Sequence, residues 1–296
     1  MRIPIPIVLR VPVAALLLTI NTVLHVSPLL VVALIKACVP LRAVRRICSA
    51  WLMAIAESWI GVNSAMIDRL TGMRIVVDCA VNLRDDGHYL VLANHQSWVD
   101  IPALQSVFNR RIPLLRFFLK SQLFWVPLLG LAWWALDFPF MKRYSRETLA
   151  RRPELAGRDI EATRRACAKF RDIPVSVMNF VEGTRFTDAK YAAQSSPFQR
   201  LLRPKAGGVA FVLNALGDAL HSILDVTVVY PYGRPTLLDL FADRVREVRV
   251  HVRELPIPVG LSAGDYQNDA AFRELVQDWV NALWTQKDAT IARLTL

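Results

Sequence analysis

The chain is short of cysteine, of lysine and of any signature built on a reactive serine. Cys38, Cys48, Cys79 and Cys167 lie scattered through 296 residues without paired spacing, which excludes a disulfide framework and a zinc site of the usual kind. They read as small buried hydrophobes in a reducing compartment. A serine hydrolase is not expected, because no Gly-x-Ser-x-Gly elbow supplies a serine nucleophile. Basic clusters occur without a motif for reading a nucleic-acid groove, and neither an internal repeat nor a linker divides the chain. Between Arg10 and Lys36 formal charge is missing altogether.

Apolar surface and positive charge are abundant instead. Hydrophobic residues make up 54 % of the chain and the net charge is +11, with arginine far ahead of lysine; the mean hydropathy is +0.32. That balance calls for an acidic partner, either nucleic acid or an anionic membrane surface. Long apolar runs alternating with basic clusters decide for the membrane, where each Lys or Arg near anionic lipid is worth about 1 kcal/mol. Nucleic acid is not expected as a partner.

The uncharged tract after Arg10 is about 25 residues long, matching the thickness of a hydrocarbon core, although Pro12, Asn21, His25 and Pro28 interrupt it. A cleavable signal fits less well, since the apolar region is too long and no small-residue cleavage site follows. A basic hinge at 40–46 precedes a second helix from about Ile47 to Leu70. Residues 1–71 are therefore expected to form a membrane-anchoring helical hairpin, its arginines at headgroup level on the cytoplasmic side. A spanning first helix with an interfacial second one fits equally.

Residues 72–296 alternate short strands with helices. Strands are expected at 73–80, 88–93, 112–120, 137–142, 174–180, 223–230 and 245–255. Helices are expected at 97–108, at 157–171, from 205, and at the C-terminus around Phe272, Leu275, Trp279 and Leu283. The pattern predicts one α/β domain, a single mixed sheet flanked by helices. The uncharged stretch 121–136 holds Trp125, Trp133 and Trp134 and the breaks Pro127 and Gly130. It suits an interfacial or acyl-chain-lining helix pair; a plain core helix is the alternative.

Asn94-His95-Gln96-Ser97-Trp98-Val99-Asp100 closes the apolar run 88–93 and opens a helix whose apolar residues are Val99, Ile101, Leu104 and Val107. His95 thus stands at the mouth of a strand-to-helix turn. Asp100, about one helical turn past Ser97, can fold back on the ring, fix its tautomer and leave the other nitrogen free to take a proton. Ser97 to Asp100 also fits a capping box, in which the acid only satisfies backbone donors. The other histidines, His25, His88, His221 and His251, lack a suitably spaced acid and read as structural.

A second constellation, Glu182-Gly183-Thr184-Arg185, follows the buried strand 174–180, where open α/β sheets place ligands. Gly183 allows close backbone approach, and Arg185 offers a bidentate fork for phosphate; an acid-Gly-Thr-Arg turn held by a structural ion pair is the plainer reading. Lys205-Ala206-Gly207-Gly208 either borders a phosphate pocket at a helix start or simply begins a helix.

Together these residues resemble the glycerophospholipid acyltransferases, of which the 1-acylglycerol-3-phosphate acyltransferases are the best known. The family's Asn-His-x-x-x-x-Asp is matched at Asn94, His95 and Asp100, and its Phe-x-Glu-Gly-Thr-Arg at Phe180, Glu182, Gly183, Thr184 and Arg185. Residues 118–130 resemble its lysine-containing stretch, with Lys120 in the lysine's place. Arg143 matches the arginine that ends the second block, but the acid before it is absent. Val181 stands where many members have proline, and Val228-Val229-Tyr230-Pro231 is only loosely similar to the fourth block. These departures look more like the branch with lysocardiolipin-type and larger lysophospholipid acyltransferases.

The resemblance implies an O-acyltransferase bound to a membrane with its active site facing the cytoplasm, at the inner membrane if the source is bacterial. His95, oriented by Asp100, would deprotonate the free hydroxyl of a lysophospholipid, 1-acylglycerol-3-phosphate first among the candidates, giving phosphatidate. An acyl thioester of coenzyme A or acyl carrier protein would be the co-substrate. Lys120, Arg143 and Arg185 would hold the acceptor's phosphate with the Gly183–Thr184 turn, and Glu182 would fix Arg185 or a glycerol hydroxyl. Neither a metal nor a resident cofactor is expected. Two other outcomes stay open: a hydrolase using the same base on water, and a non-enzymatic protein that binds anionic lipid.

Overall fold

The computed structural model describes residues 6–141, 151, 170, 173–262 and 264–296. Arg143, Cys167 and nearly all of the expected helix 157–171 lie outside them.

Six strands form one mixed sheet: β1 (Arg74–Cys79), β2 (His88–Ala93), β3 (Leu115–Phe117), β6 (Val175–Phe180), β7 (Ser222–Val229) and β8 (Glu247–Leu255). Their order is β1-β8-β7-β2-β6-β3, and a separate two-stranded sheet pairs β4 (Leu119–Lys120) with β5 (Phe140–Met141). Among the described strand pairs, only β7 and β8 run antiparallel. Parallel strands are covered on both faces and so read as continuous apolar runs. β2 illustrates this. Leu90 and Leu92 pack on the side of α6 (Gly207–Leu216) and α8 (Ala270–Thr295), whereas Tyr89, Val91 and Ala93 pack on the side of α3 (Asp100–Phe108) and the short α7 (Leu237–Phe241). Ala93 lies opposite both Phe180 and Val226, so β2 and β6 end together beside the C-terminal part of β7, at the edge where α/β sheets bind ligands.

α1 (Ile7–Cys38) and α2 (Arg42–Leu70) form an antiparallel pair, both long and apolar enough to cross a membrane. α1 continues through Pro12 and Pro28. Its polarity is inside out. Leu16, Ile20, Leu24, Val31, Leu34 and Ile35 are exposed, while polar groups meet between the helices. There Asn21 donates to the Trp59 carbonyl and Asn63 Oδ1, His25 reaches Ser58 Oγ at 3.1 Å, and Trp59 Nε1 donates to Thr22 Oγ1.

Several boundaries differ from expectation. α2 begins at Arg42, so the hinge shrinks to Val39–Leu41 and Arg42, Arg45 and Arg46 sit in the helix's opening turns. The expected strand 112–120 divides at Phe118: β3 joins the main sheet, and β4 leaves it to pair with β5. α3 begins at Asp100, because Ser97 Oγ accepts from the Val99 N–H and holds 97–99 in a turn. Residues 121–136 form a 3-10 turn, Ser121–Trp125, and a short helix α4 (Leu129–Ala135) against α1. Gly130 is required there, since a Cβ would lie 1.8 Å from the Phe124 carbonyl oxygen. Trp125 and Trp134 stay exposed while Trp133 packs on the hairpin core. Cys48 is buried as expected, but Cys38 is exposed.

Candidate active site

The turn between β2 and α3 orients His95 through Asp100. The imidazole Nδ1 lies 2.8 Å from Asp100 Oδ2. A carboxylate only accepts, so Nδ1 carries the proton and Nε2 is the basic nitrogen. The same Oδ2 accepts the N–H groups of Gln96 at 2.7 Å and Ser97 at 3.0 Å. Both readings of the 97–100 spacing are therefore realised in one carboxylate, which caps backbone donors and holds the ring. Asp100 is wholly buried, and Phe180 stacks on the imidazole at 4.0 Å and 15°. Asn94 anchors the turn by exchanging two 2.8 Å bonds with the backbone of Val228.

The Glu182–Arg185 turn is bonded directly to this one. The Val181 N–H donates to the Ala93 carbonyl, and the Phe186 N–H donates to the His95 carbonyl at 2.8 Å. Glu182 turns away from the cleft: it is buried and accepts the N–H groups of His95 at 3.3 Å and Leu202 at 3.4 Å. It meets neither Arg185 nor the open cavity, contrary to expectation. Its carboxyl is pushed up to about 8 by burial, the two backbone donors opposing. Gly183 has φ +69°, and a Cβ there would stand 3.1 Å from the Lys205 side chain, so a left-handed turn and a close approach both select glycine.

His95, Lys120, Gly183, Thr184 and Arg185 line one cleft, which encloses about 1100 Å³ of non-protein space including part of its open mouth. Phe117, Phe118, Leu123, Met178 and Phe180 supply its apolar wall. Arg185 lies over the exposed Trp98 ring at 4.8 Å. Lys190 also lines the cleft, from the helix α5 (Asp188–Gln194), and donates to Thr184 Oγ1 and the Arg185 carbonyl. Sequence reading missed it, although its position five residues past Arg185, in the first turn of the next element, was a usable signal. Lys205 borders the site behind Gly183, so the 205–208 turn belongs to its surroundings.

Two features elsewhere resemble catalytic signals. His251 Nδ1 lies 2.8 Å from Asp78 Oδ2, an acid 173 positions away and invisible to a spacing search. The two residues are register partners on β8 and β1, and Asp78 is largely exposed, which makes the pair a cross-strand link. Contrary to expectation, Gly260-Leu261-Ser262-Ala263-Gly264 carries the letters of a nucleophile elbow. Its described residues lie in the irregular connection after β8, and α8 starts only at Ala270, so among the described residues the strand-turn-helix geometry is missing.

Fold and site define an α/β protein with a carboxylate-held histidine over a cleft that joins cations to an apolar wall. Residues 74–231 match the family described as Acyltransferase, and the chain belongs to it. It is 23% identical over 253 residues to lysocardiolipin acyltransferase 1 of Mus musculus, covering 80% of this chain and 62% of that protein. It is 27% identical over 219 residues to 1-acyl-sn-glycerol-3-phosphate acyltransferase 2 of Brassica napus, covering 65% and 52%. The chain thus spans about half to three-fifths of the curated relatives it matches. The crystal structure of the 1-acyl-sn-glycerophosphate acyltransferase PlsC from Thermotoga maritima shares the fold, with a TM-score of 0.54, 17% identity, and coverage of 94% of this chain and 98% of that one.

Proposed function

We propose that the chain is a membrane-bound O-acyltransferase that moves a fatty acyl group from a thioester donor to the free hydroxyl of a lysophospholipid, with 1-acylglycerol-3-phosphate as the first candidate acceptor and phosphatidate as the product. One observation carries the reading: a histidine whose Nδ1 is held by a buried carboxylate lines the same cleft as Lys120, Arg185 and Lys190. A phosphate held by the cations brings a glycerol hydroxyl to His95 Nε2. The imidazole removes the hydroxyl proton as the oxygen attacks the thioester carbonyl, and Asp100 stabilises the imidazolium. The tetrahedral intermediate collapses with loss of the thiolate, which takes the proton back from His95. The aromatic wall accommodates acyl chain, and the protein holds no resident cofactor in this scheme; the thioester of coenzyme A or acyl carrier protein is a substrate.

The names of the relatives support both a lysophosphatidate and a lysocardiolipin-type acceptor, and the third cation, Lys190, favours the more highly charged headgroups. Membrane attachment is supported by the outward apolar face of α1, and the arginines that open α2 favour the cytoplasmic side.

Purified protein in detergent, given acyl-coenzyme A or acyl carrier protein thioester and a panel of lysolipids, is expected to form diacyl product. His95→Ala is expected to lower kcat by roughly 10² to 10⁴. Undiminished turnover in that variant would sink the proposal, and release of free fatty acid in place of diacyl lipid would mark a hydrolase.

A further inference from the structure

The second oxygen of Asp100 has its own partner. Oδ2 serves His95 and two backbone donors, whereas Oδ1 accepts the Tyr230 hydroxyl at 2.6 Å. Tyr230 follows β7 directly and is buried. It is joined to the catalytic turn by the whole segment around it: Val228 exchanges bonds with Asn94, Arg234 Nε donates to Gln96 Oε1, and the Pro235 carbonyl accepts from Ser97 Oγ.

We propose that Tyr230 is a positioning residue for the acyl transfer, the third member of a His95–Asp100–Tyr230 chain that sets the angle and the basicity of the Asp100 carboxylate. The inference rests on the acyl-transfer reading of His95. The donors on Oδ2 hold one oxygen only, and with Oδ1 unbound the carboxylate plane could still rock about its terminal torsion, which is broad. The phenol removes that freedom. It also withdraws charge from the carboxylate, since a donor to an anion stabilises it, and so moderates the pull of Asp100 on the imidazole proton. Burial, and then the Asp100 charge, hold the phenol well above its ordinary value, so it remains a donor throughout the working range. The other charged groups around the turn are Glu182 behind the His95 amide, Arg234 on Gln96 and Arg185 over Trp98; none touches Asp100 Oδ1.

Tyr230→Phe keeps the ring and deletes the donor. Freed of it, Asp100 becomes more basic and favours imidazolium, so the acidic limb of the kcat/KM profile is expected to move to higher pH. We expect kcat to fall roughly ten-fold with KM unchanged within about two-fold. The His95 titration, followed by ¹⁵N-histidine NMR and assigned by its loss in His95→Ala, is expected to rise by about half a pH unit or more. Incorporation of 3,5-difluorotyrosine at 230, a stronger donor, is expected to move that titration the other way. An unchanged kcat and titration in Tyr230→Phe would overturn the inference. So would an activity loss that tracks the fraction of folded protein while the His95 titration stays put. If the wild-type protein acylates no lysolipid, the functional reading fails, and the NMR arm still tests the contact.

Discussion

Glu182 shows how a side chain in a functional motif can act through the backbone. Its carboxyl bonds the amides of His95 and Leu202 and is pushed up to about 8 by burial. The folded protein therefore keeps a proton on Glu182 at pH values where the unfolded chain, near the ordinary 4.5, has lost it. Stability from this group is present in full below pH 4.5 and declines as pH rises toward 8. Glu182→Gln does not titrate, so urea unfolding at pH 5, 6.5 and 8 is expected to show a shallower decline in the variant; equal slopes would refute this. Such a role was not legible, because partners 87 and 20 positions away cannot be read from a four-residue turn. His95 with Asp100 was legible, since five positions on a strand-to-helix turn constrain the pair almost alone. The place of Arg185 in the same cleft was legible for a similar reason, since it follows a buried strand by a short turn through Gly183.

Elements follow the same division between local and distant causes. The buried strands were readable because a parallel sheet covered on both faces leaves continuous apolar runs. The C-terminal helix was found as an element, but its inward face was misjudged: Leu275 is exposed, and the buried stripe runs through Phe272, Val276, Val280, Leu283, Trp284, Lys287 and Ile291. A lysine in that stripe breaks the hydrophobic pattern. Lys287 is fully buried, 2.6 Å from Asp225 Oδ1 and from the Val226 carbonyl on β7, while Arg253 of β8 holds the other Asp225 oxygen at 2.7 Å. Burial draws its ammonium below the ordinary lysine value, and Asp225 opposes that. The cluster pins α8 to the strand next to β2, behind the turn that carries His95. Lys287→Met leaves Asp225 with Arg253 as its sole cation in the cluster, and breaking a buried pair from one side costs about 3 kcal/mol or more. A fall in thermal midpoint is therefore expected for Lys287→Met, and for Lys287→Met combined with Asp225→Asn a fall smaller than the sum of the two single variants, because the pair is broken only once. An additive double variant would contradict the pairing.

At the scale of the whole molecule the N-terminal pair inverts the logic of the sheet domain, with polar groups between the helices and leucine outside. Water would penalise that arrangement, whereas lipid requires it, since polar groups in hydrocarbon must find partners within the protein. Arg10 near one end of α1 pairs with Asp243, whose other oxygen accepts the Gly72 N–H, and Lys36 near the other end lies 3.8 Å from Asp137. Those anchor points are separated by about 39 Å at 1.5 Å per residue, and both belong to the domain that carries the cleft. A helix fastened along its length to that domain lies in the membrane surface on the proposed reading, with the cleft level with the lipids that supply its acceptor. The first turns of α2 sharpen the point: Arg42, Arg45 and Arg46 occupy the positive end of a helix with no acidic residue in its first turn. Cations there oppose the helix dipole, and anionic headgroups would relieve the conflict. Replacing the three arginines by glutamine should remove about 1 kcal/mol of attraction per residue. Sedimentation with phosphatidylglycerol-containing vesicles is then expected to show affinity lower by about 100-fold. Partition into neutral phosphatidylcholine vesicles, driven by the apolar face of α1, should stay the same. Equal loss on both vesicle types would mean that the variant damages the hairpin itself, and no loss on either would remove the arginines from the membrane contact.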